Sequence, residues 1–185
     1  MLPADHLWLR VCSPGWHDPL DSSFAARAGG RWNPPRSGQT LYLNRDLATA
    51  RAQIVRLLAG SFVDADDLTD DAFELVAVHL PPGLVAVDAV SNAGLIALGL
   101  PSSYPLDESG QTVAMTDCQA IAVKGHLAGM EGVEARSAAT ANGSGRELAW
   151  WPRDRKPTSV GSRIMYGRWR STAASSAADL FTYAQ

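Results

Sequence analysis

The sequence predicts a single α+β domain, in which β-strands and helices of irregular order share one hydrophobic core. Its 185 residues are enough for one domain with a substantial core and few for two. Hydrophobic residues make up 46% of the chain and charged residues 19%, which is an ordinary globular composition. Segments with strand character are irregularly spaced and do not alternate with helices, so we expect no regular βαβ array.

Strands are predicted where apolar and polar residues alternate between turn signals. Prolines, glycines and short polar residues break the chain between these segments, as in the turn-rich stretch Ser13–Ser23. The predicted strands are His6–Cys12, Gln39–Asn44, Phe73–Leu80, Leu84–Val90, Gly132–Ala138, Arg146–Pro152 and Arg163–Arg170.

Helical periodicity predicts a helix over Asp46–Ala59, with Asp46 as its N-cap and Gly60 as its stop. A second helix is predicted over Asp117–Gly129 and a short one over Asn92–Leu100. The apolar stripe of the first helix consists of Ala50, Ile54, Leu57 and Leu58.

The charge and cysteine content indicate a cytoplasmic protein that binds neither nucleic acid nor a membrane. The net charge is −3 and no basic stripe is interleaved with aromatic residues, so electrostatics give no reason to expect nucleic acid. Cys12 and Cys118 are the only cysteines and fit a reducing compartment. No apolar stretch approaches the roughly 20 residues that cross a bilayer, and the N-terminus lacks a secretory pattern.

Motifs for metals and nucleotide cofactors are absent from the sequence. The 4 histidines form neither HExxH nor another paired arrangement, so we expect no metal site. The chain also has no P-loop, no Rossmann fingerprint and no GxSxG elbow.

The stretch GGRWNPP, Gly29–Pro35, is the most unusual segment of the chain. Its paired glycines allow backbone angles closed to other residues, so Arg31 can be held at an unusual angle. Its two prolines stiffen the C-terminal end of the stretch, and Trp32 can anchor the turn against the core. An arginine fixed in this way offers a planar fork suited to phosphates or carboxylates. An aromatic-anchored surface turn with an exposed arginine is the alternative that the residues alone leave open.

GGRWNPP, followed by Tyr42–Asn44 and a helix containing ARAQI, resembles the RES-domain family, toxins of bacterial toxin–antitoxin pairs. The later segments DCQAIAVKGHLAGMEGVEARSAA and RELAWWP resemble the family in the same order, and the likeness runs from about Leu7 to Trp151. It implies an ADP-ribosyltransferase-like split β-core with flanking helices. Residues 1–157 would form the NAD-binding core, and residues 158–185 a C-terminal strand and tail that complete the same domain.

The resemblance also implies a reaction, a site and a partner. Family members consume NAD by breaking the bond between nicotinamide and ribose, and they pass ADP-ribose to water, phosphate or a protein. The implied catalytic residues are Arg31, Gln53 and Ser137. Arg10 and Arg31 would hold the pyrophosphate, Tyr42 would stack on the nicotinamide or ribose, and Ser137 would hydrogen-bond the nicotinamide ribose or carboxamide. A strand-end serine and a half-buried strand tyrosine are the ordinary alternatives. The implied partner is a small DNA-binding antitoxin that blocks the pocket.

Position 53 departs from the family, because it carries glutamine where the family has glutamate. Removing that charge about 4 Å from a developing cation costs on the order of 4 kcal/mol, or roughly a thousandfold in rate. The chain is then a slower enzyme, an enzyme inactivated by an introduced substitution, or a catalytically silent NAD-binding module. Asp46 is a candidate stand-in carboxylate, although its position also suits an N-cap. A structural domain without a nucleotide site is the remaining alternative.

Overall fold

A computed structural model describes residues 6–140, 142–153, 155–173 and 180–181 of the chain. The strands are β1 Trp8–Cys12, β2 Leu41–Asn44, β3 Glu74–His79, β4 Val87–Ala89, β5 Gly132–Arg136, β6 Arg146–Trp150 and β7 Thr158–Met165. The helices are α1 Ser23–Ala28, α2 Leu47–Leu58, α3 Asn92–Leu98, α4 Met115–Leu127 and α5 Tyr166–Trp169, with a 3-10 turn at Ala65–Asp67. Among the described residues, no helix is both long and apolar enough to cross a membrane.

The strands form one sheet in the order β4-β5-β6-β2-β1-β3-β7. Strands β4 and β5 run parallel, and every other neighbouring pair is antiparallel. Strand β1 pairs with β3 through 5 residue pairs but with β2 through one pair alone, Leu9 with Asn44. The sheet therefore consists of two halves joined at a single point, which confirms the predicted α+β domain with a split core.

Alternating strand residues send apolar side chains to both faces of the sheet. On β2, Leu41 and Leu43 belong to one buried cluster, whereas Tyr42 between them packs against another. Helices α2 and α4 cover the Tyr42 face. Buried Ala50 and Ile54 form the predicted contact stripe of α2.

Three sequence predictions differ from the structure. Leu57 was expected in the apolar stripe of α2 but is 68% exposed, because it lies at the rim of a cleft rather than against the sheet. The predicted last strand, Arg163–Arg170, is a strand only to Met165. Tyr166 and Trp169 follow in a helical turn, since a spacing of three residues brings both rings to one buried side, 4.9 Å apart.

The third difference is helix α1, which the sequence analysis did not predict. It begins at the end of the turn-rich stretch Ser13–Ser23, whose residues are typical of turns. This helix ends at Gly29, and the side-chain amide of Asn33 donates to the carbonyl of Ala25 at 2.8 Å. At the C-terminal end, β7 pairs with β3. Positions 174–179 and 182–185 of the predicted tail lie outside the described residues.

We predict that Asp46→Ala lowers the free energy of unfolding by about 1 kcal/mol, because Asp46 caps α2. Its carboxylate accepts from the backbone nitrogen of Thr49 at 2.7 Å and from the Thr49 hydroxyl at 2.8 Å. The melting temperature should fall by about 2–4 °C in a domain of this size. Asp46→Asn is the matched control, since asparagine also caps, and a similar fall in both variants would contradict the capping role.

Candidate active site

A cleft of about 690 Å³ opens where the two halves of the sheet part. Strand β1 continues to Cys12 without pairing further with β2, so side chains rather than ladder hydrogen bonds occupy the gap. The volume lies within the usual range for small-molecule sites. The polar residues that matter for its chemistry are Arg10, Arg31, Tyr42, Gln53, Arg56 and Glu147.

The glycine-rich turn ahead of β2 positions Arg31. Gly29 has a φ angle of 77°, in the left-handed region that favours glycine. Gly30 leaves room for Tyr42, because a Cβ there would lie 2.5 Å from the tyrosine hydroxyl oxygen. Trp32 is fully buried and anchors the turn, as predicted.

Arg31 presents a partly used guanidinium to the cleft. Its Nη1 donates to the carbonyl of Val113 at 2.8 Å and contacts Cys118 Sγ at 3.5 Å. Within the described ranges, Arg31 forms no ion pair with a carboxylate. Its remaining N–H groups are therefore available to an anion.

Arg10 is a buried cation held by backbone carbonyls. Only 7% of the residue is exposed, and burial lowers the pKa of its guanidinium. It donates to the carbonyls of Pro19 at 2.7 Å, Asp21 at 2.6 Å and Tyr42 at 3.4 Å, and the Trp16 ring lies 5.5 Å away. The bond to Tyr42 bridges the two halves of the sheet.

Tyr42 contributes its ring rather than its hydroxyl to the cleft. The hydroxyl donates to Asn33 Oδ1 at 2.7 Å and accepts from the backbone nitrogen of Trp32 at 2.9 Å. Burial raises the pKa of Tyr42, so the hydroxyl stays protonated and tied to the turn. The sequence-based expectation of a ring that can stack is compatible with this placement, whereas its polar tip is already engaged.

Gln53 and Ser137 both reach a residue that the sequence analysis did not single out, Glu147. Gln53 lines the cleft, and its side-chain amide lies near enough to Glu147 to act against the rise in the pKa of that carboxyl. Ser137 is 0% exposed and does not line the cleft; its hydroxyl donates to Glu147 Oε2 at 3.0 Å. The structure thus brings Arg10, Arg31, Tyr42 and Gln53 to one cleft and places Ser137 directly behind its wall.

Glu147 is a buried carboxylate at the base of the cleft. Burial raises its pKa, opposed by hydrogen bonds from Ser137 and Trp32, by the charge of Arg31 and by the nearby amide of Gln53. Trp32 Nε1 donates to Oε1 at 3.3 Å. The signal in the sequence was an acidic residue at an inward position of the apolar strand RELAWW, where a charge is costly without partners. Asp46, the candidate stand-in carboxylate, caps α2 and does not line the cleft.

In the described part of the chain, no cluster of three or more histidine, cysteine or acidic residues could hold an ion. The charged and hydrogen-bonding side chains that line the cleft include three arginines and one carboxylate. Such a site can bind an anion through the arginines and place a negative group beside a positive centre.

Comparison with known proteins shows similarity to a protein family and to a solved structure. The RES domain family matches residues 7–172, which is most of the chain. A chain from the MbcT–MbcA toxin–antitoxin complex of M. tuberculosis has a TM-score of 0.72 and 20% sequence identity, covering 90% of both chains. This second likeness establishes a shared fold. No curated protein matches the chain in sequence.

We predict that Glu147→Gln gains stability relative to the wild type as pH rises from about 4 to 8. The folded state raises the pKa of Glu147, so its stabilising contribution is complete below the unfolded-state pKa and is lost as pH rises through the folded-state pKa. Glutamine mimics the protonated form of Glu147, so the variant does not lose this stabilising contribution as pH rises. Thermal unfolding at several pH values measures the difference, with Glu108→Gln at an exposed position as the control for lost charge. If the stability of Glu147→Gln relative to the wild type decreases as pH rises, the raised pKa of Glu147 is contradicted.

Proposed function

The chain belongs to the RES domain family, as its motifs predicted, and we propose that its cleft binds NAD and breaks the bond between nicotinamide and ribose. The observation that carries the proposal is the charge arrangement at the split of the sheet. Arg10 and Arg31, unpaired with carboxylates among the described residues, share one cleft with buried Glu147.

NAD matches this arrangement in charge. Its pyrophosphate is an anion suited to the guanidinium of Arg31, whose Nε and Nη2 have no acceptor among the described residues. Arg10 adds a second positive charge from the other half of the sheet. The nicotinamide ring of NAD is a cation, and the ring of Tyr42 offers a flat surface against which it or the ribose can stack.

The reaction needs stabilisation of positive charge on the ribose. As the bond from C1′ to nicotinamide breaks, both bonding electrons leave with nicotinamide, and the ribose becomes oxocarbenium-like, as in glycoside cleavage. A nucleophile then bonds to C1′: water, phosphate or a side chain of a protein acceptor. In this scheme Arg31 fixes the dinucleotide, Gln53 lines the cleft, and Ser137 supports the site from behind its wall.

We further propose that the protein is the toxin of a toxin–antitoxin pair and that a cognate antitoxin covers the cleft. The solved complex with the same fold supports this proposal. So does the rim of the cleft, where three apolar side chains are exposed: Phe24 at 61%, Leu57 at 68% and Met115 at 50%. Exposed apolar side chains around a polar site are typical of a surface that a protein partner covers.

A silent NAD-binding module is the second candidate, and Gln53 is the observation that favours it. An enzyme whose helical glutamate is replaced by glutamine loses the charge that the family places there. If the protein is such a module, it should bind NAD tightly without releasing nicotinamide.

We predict that the purified protein releases nicotinamide from NAD and that Arg31→Gln lowers kcat/KM by about 10–100-fold. The basis is the loss of one charge-assisted hydrogen bond to the pyrophosphate. Chromatography measures nicotinamide, and mass spectrometry with phosphate and cell lysate present identifies the acceptor of ADP-ribose. Arg36→Gln is the matched control, because Arg36 is an exposed arginine of the same turn that does not line the cleft. Equal activity of both variants would contradict the role of Arg31.

In a bacterial host, we predict that expression of the chain alone arrests growth, whereas expression of Arg31→Gln at the same level does not. The reason is depletion of NAD or modification of an essential protein when the cleft is uncovered. Colony counts and intracellular NAD levels give the readout. Arrest that is equally strong for Arg31→Gln would count against the cleft as the source of toxicity.

A further inference from the structure

We propose that Glu147, rather than the residue at position 53, supplies the negative charge that stabilises the ribose cation. This inference rests on the proposed NAD cleavage. Glu147 is the only acidic side chain among the described residues that line the cleft. It comes from β6, in the half of the sheet that also carries Tyr42, and it lies directly opposite Asn44 of β2 in the strand register.

The side-chain amide of Gln53 lies beside the carboxylate of Glu147. Its Oε1 accepts from Asn44 Nδ2 at 3.0 Å, which leaves the amide nitrogen as the donor available to the neighbouring carboxylate. Ser137 and Trp32 donate to the two oxygens of the same carboxylate. Two hydrogen-bond donors therefore hold the carboxylate of Glu147, and with the nearby amide of Gln53 they favour its ionised form.

A glutamate at position 53 would conflict with this network. Its carboxylate could still accept from Asn44, but it would put a second carboxylate near Glu147 in place of an amide donor. Two carboxylates in contact cannot both ionise without a large cost, so one of them would take up a proton. Glutamine at 53 removes this conflict. Gln53 and Glu147 together thus carry one negative charge, and that charge lies on strand β6 instead of helix α2.

The position of Glu147 suits the charge changes of the reaction. It is buried, and burial alone disfavours its charge while the cleft lacks a cation. The nicotinamide ring of NAD, and then the ribose from which nicotinamide departs, supply the positive charge that the carboxylate lacks. Beside a buried carboxylate this interaction is stronger than at the surface. Gln53 and Ser137 are positioning residues, because they act by holding Glu147.

A purely structural Glu147, one that only ties Trp32 and Ser137 together, makes different predictions. Glu147→Gln would then alter stability but leave the preference for a cationic ligand unchanged. Binding of NAD⁺ and of NADH separates the two roles, because the nicotinamide ring is positive in NAD⁺ and neutral in NADH.

The first experiment compares the wild type with Glu147→Gln in cleavage and in binding. We expect nicotinamide release to fall on the order of a thousandfold, whereas the Kd for ADP-ribose, which lacks the ring, changes little. The wild type should bind NAD⁺ at least about tenfold more tightly than NADH, and the variant should lose this preference. Glu134→Gln is the matched control: Glu134 lies on neighbouring β5, pairs with Arg45 at 3.4 Å and does not line the cleft.

The second experiment moves the charge. We expect Gln53→Glu to lower nicotinamide release, and we expect Gln53→Glu combined with Glu147→Gln to be more active than either single variant. A Gln53→Glu variant that is much more active than the wild type would overturn the proposal and would support the silent module. Wild-type cleavage by Glu147→Gln would also overturn it.

The experiments also distinguish failure of the proposed NAD cleavage from failure of the role assigned to Glu147. If the wild type releases no nicotinamide but prefers NAD⁺ to NADH through Glu147, the reaction is wrong and the charge assignment holds. If it binds NAD⁺ and NADH equally, or binds neither, the assignment of Glu147 is overturned.

Discussion

The pairing of Leu9 with Asn44 is the narrow junction on which the whole site depends. In a continuous sheet, ladder hydrogen bonds would fill the space between β1 and β2. Here the strands separate after one pair, and the guanidinium of Arg10 crosses the gap to the carbonyl of Tyr42. The buried guanidinium thus supplies a hydrogen bond across a gap in which the ladder hydrogen bonds are absent. The same separation creates a cleft whose walls come from both halves of the sheet.

The residues around this cleft divide into those that face it and those that hold them. The glycine turn and Trp32 hold Arg31, while Tyr42 uses its hydroxyl to fix that turn and its ring to line the cleft. Ser137 lies behind Glu147. Polar groups buried in this way are costly unless each finds a partner, and a network with few alternatives keeps its members in one geometry. These contacts therefore favour a single arrangement of the groups around Glu147.

Much of the fold could be predicted from local patterns. Apolar alternation located the strands before Thr158, and Asp46 capped its helix because an acidic residue ahead of an apolar period satisfies free backbone N–H groups. Local patterns gave the wrong prediction where tertiary contacts determined the exposure of a side chain or the local backbone structure. Leu57 suits a buried stripe by spacing but lies at the rim of the cleft, and Tyr166 and Trp169 suit a strand by composition but pack as a helical turn.

The sequence by itself determined the family, the α+β class and the turn that holds Arg31, because these depend on short-range spacing and on one unusual motif. Only the tertiary structure decided which carboxylate faces the cleft. Glu147 is 94 positions from Gln53, by the difference of their numbers, and the two meet only because β6 lies beside β2 under α2. A contact between distant segments leaves no periodicity in either one, so the strand pattern of RELAWW indicates that Glu147 faces inward but does not show that it lies near position 53.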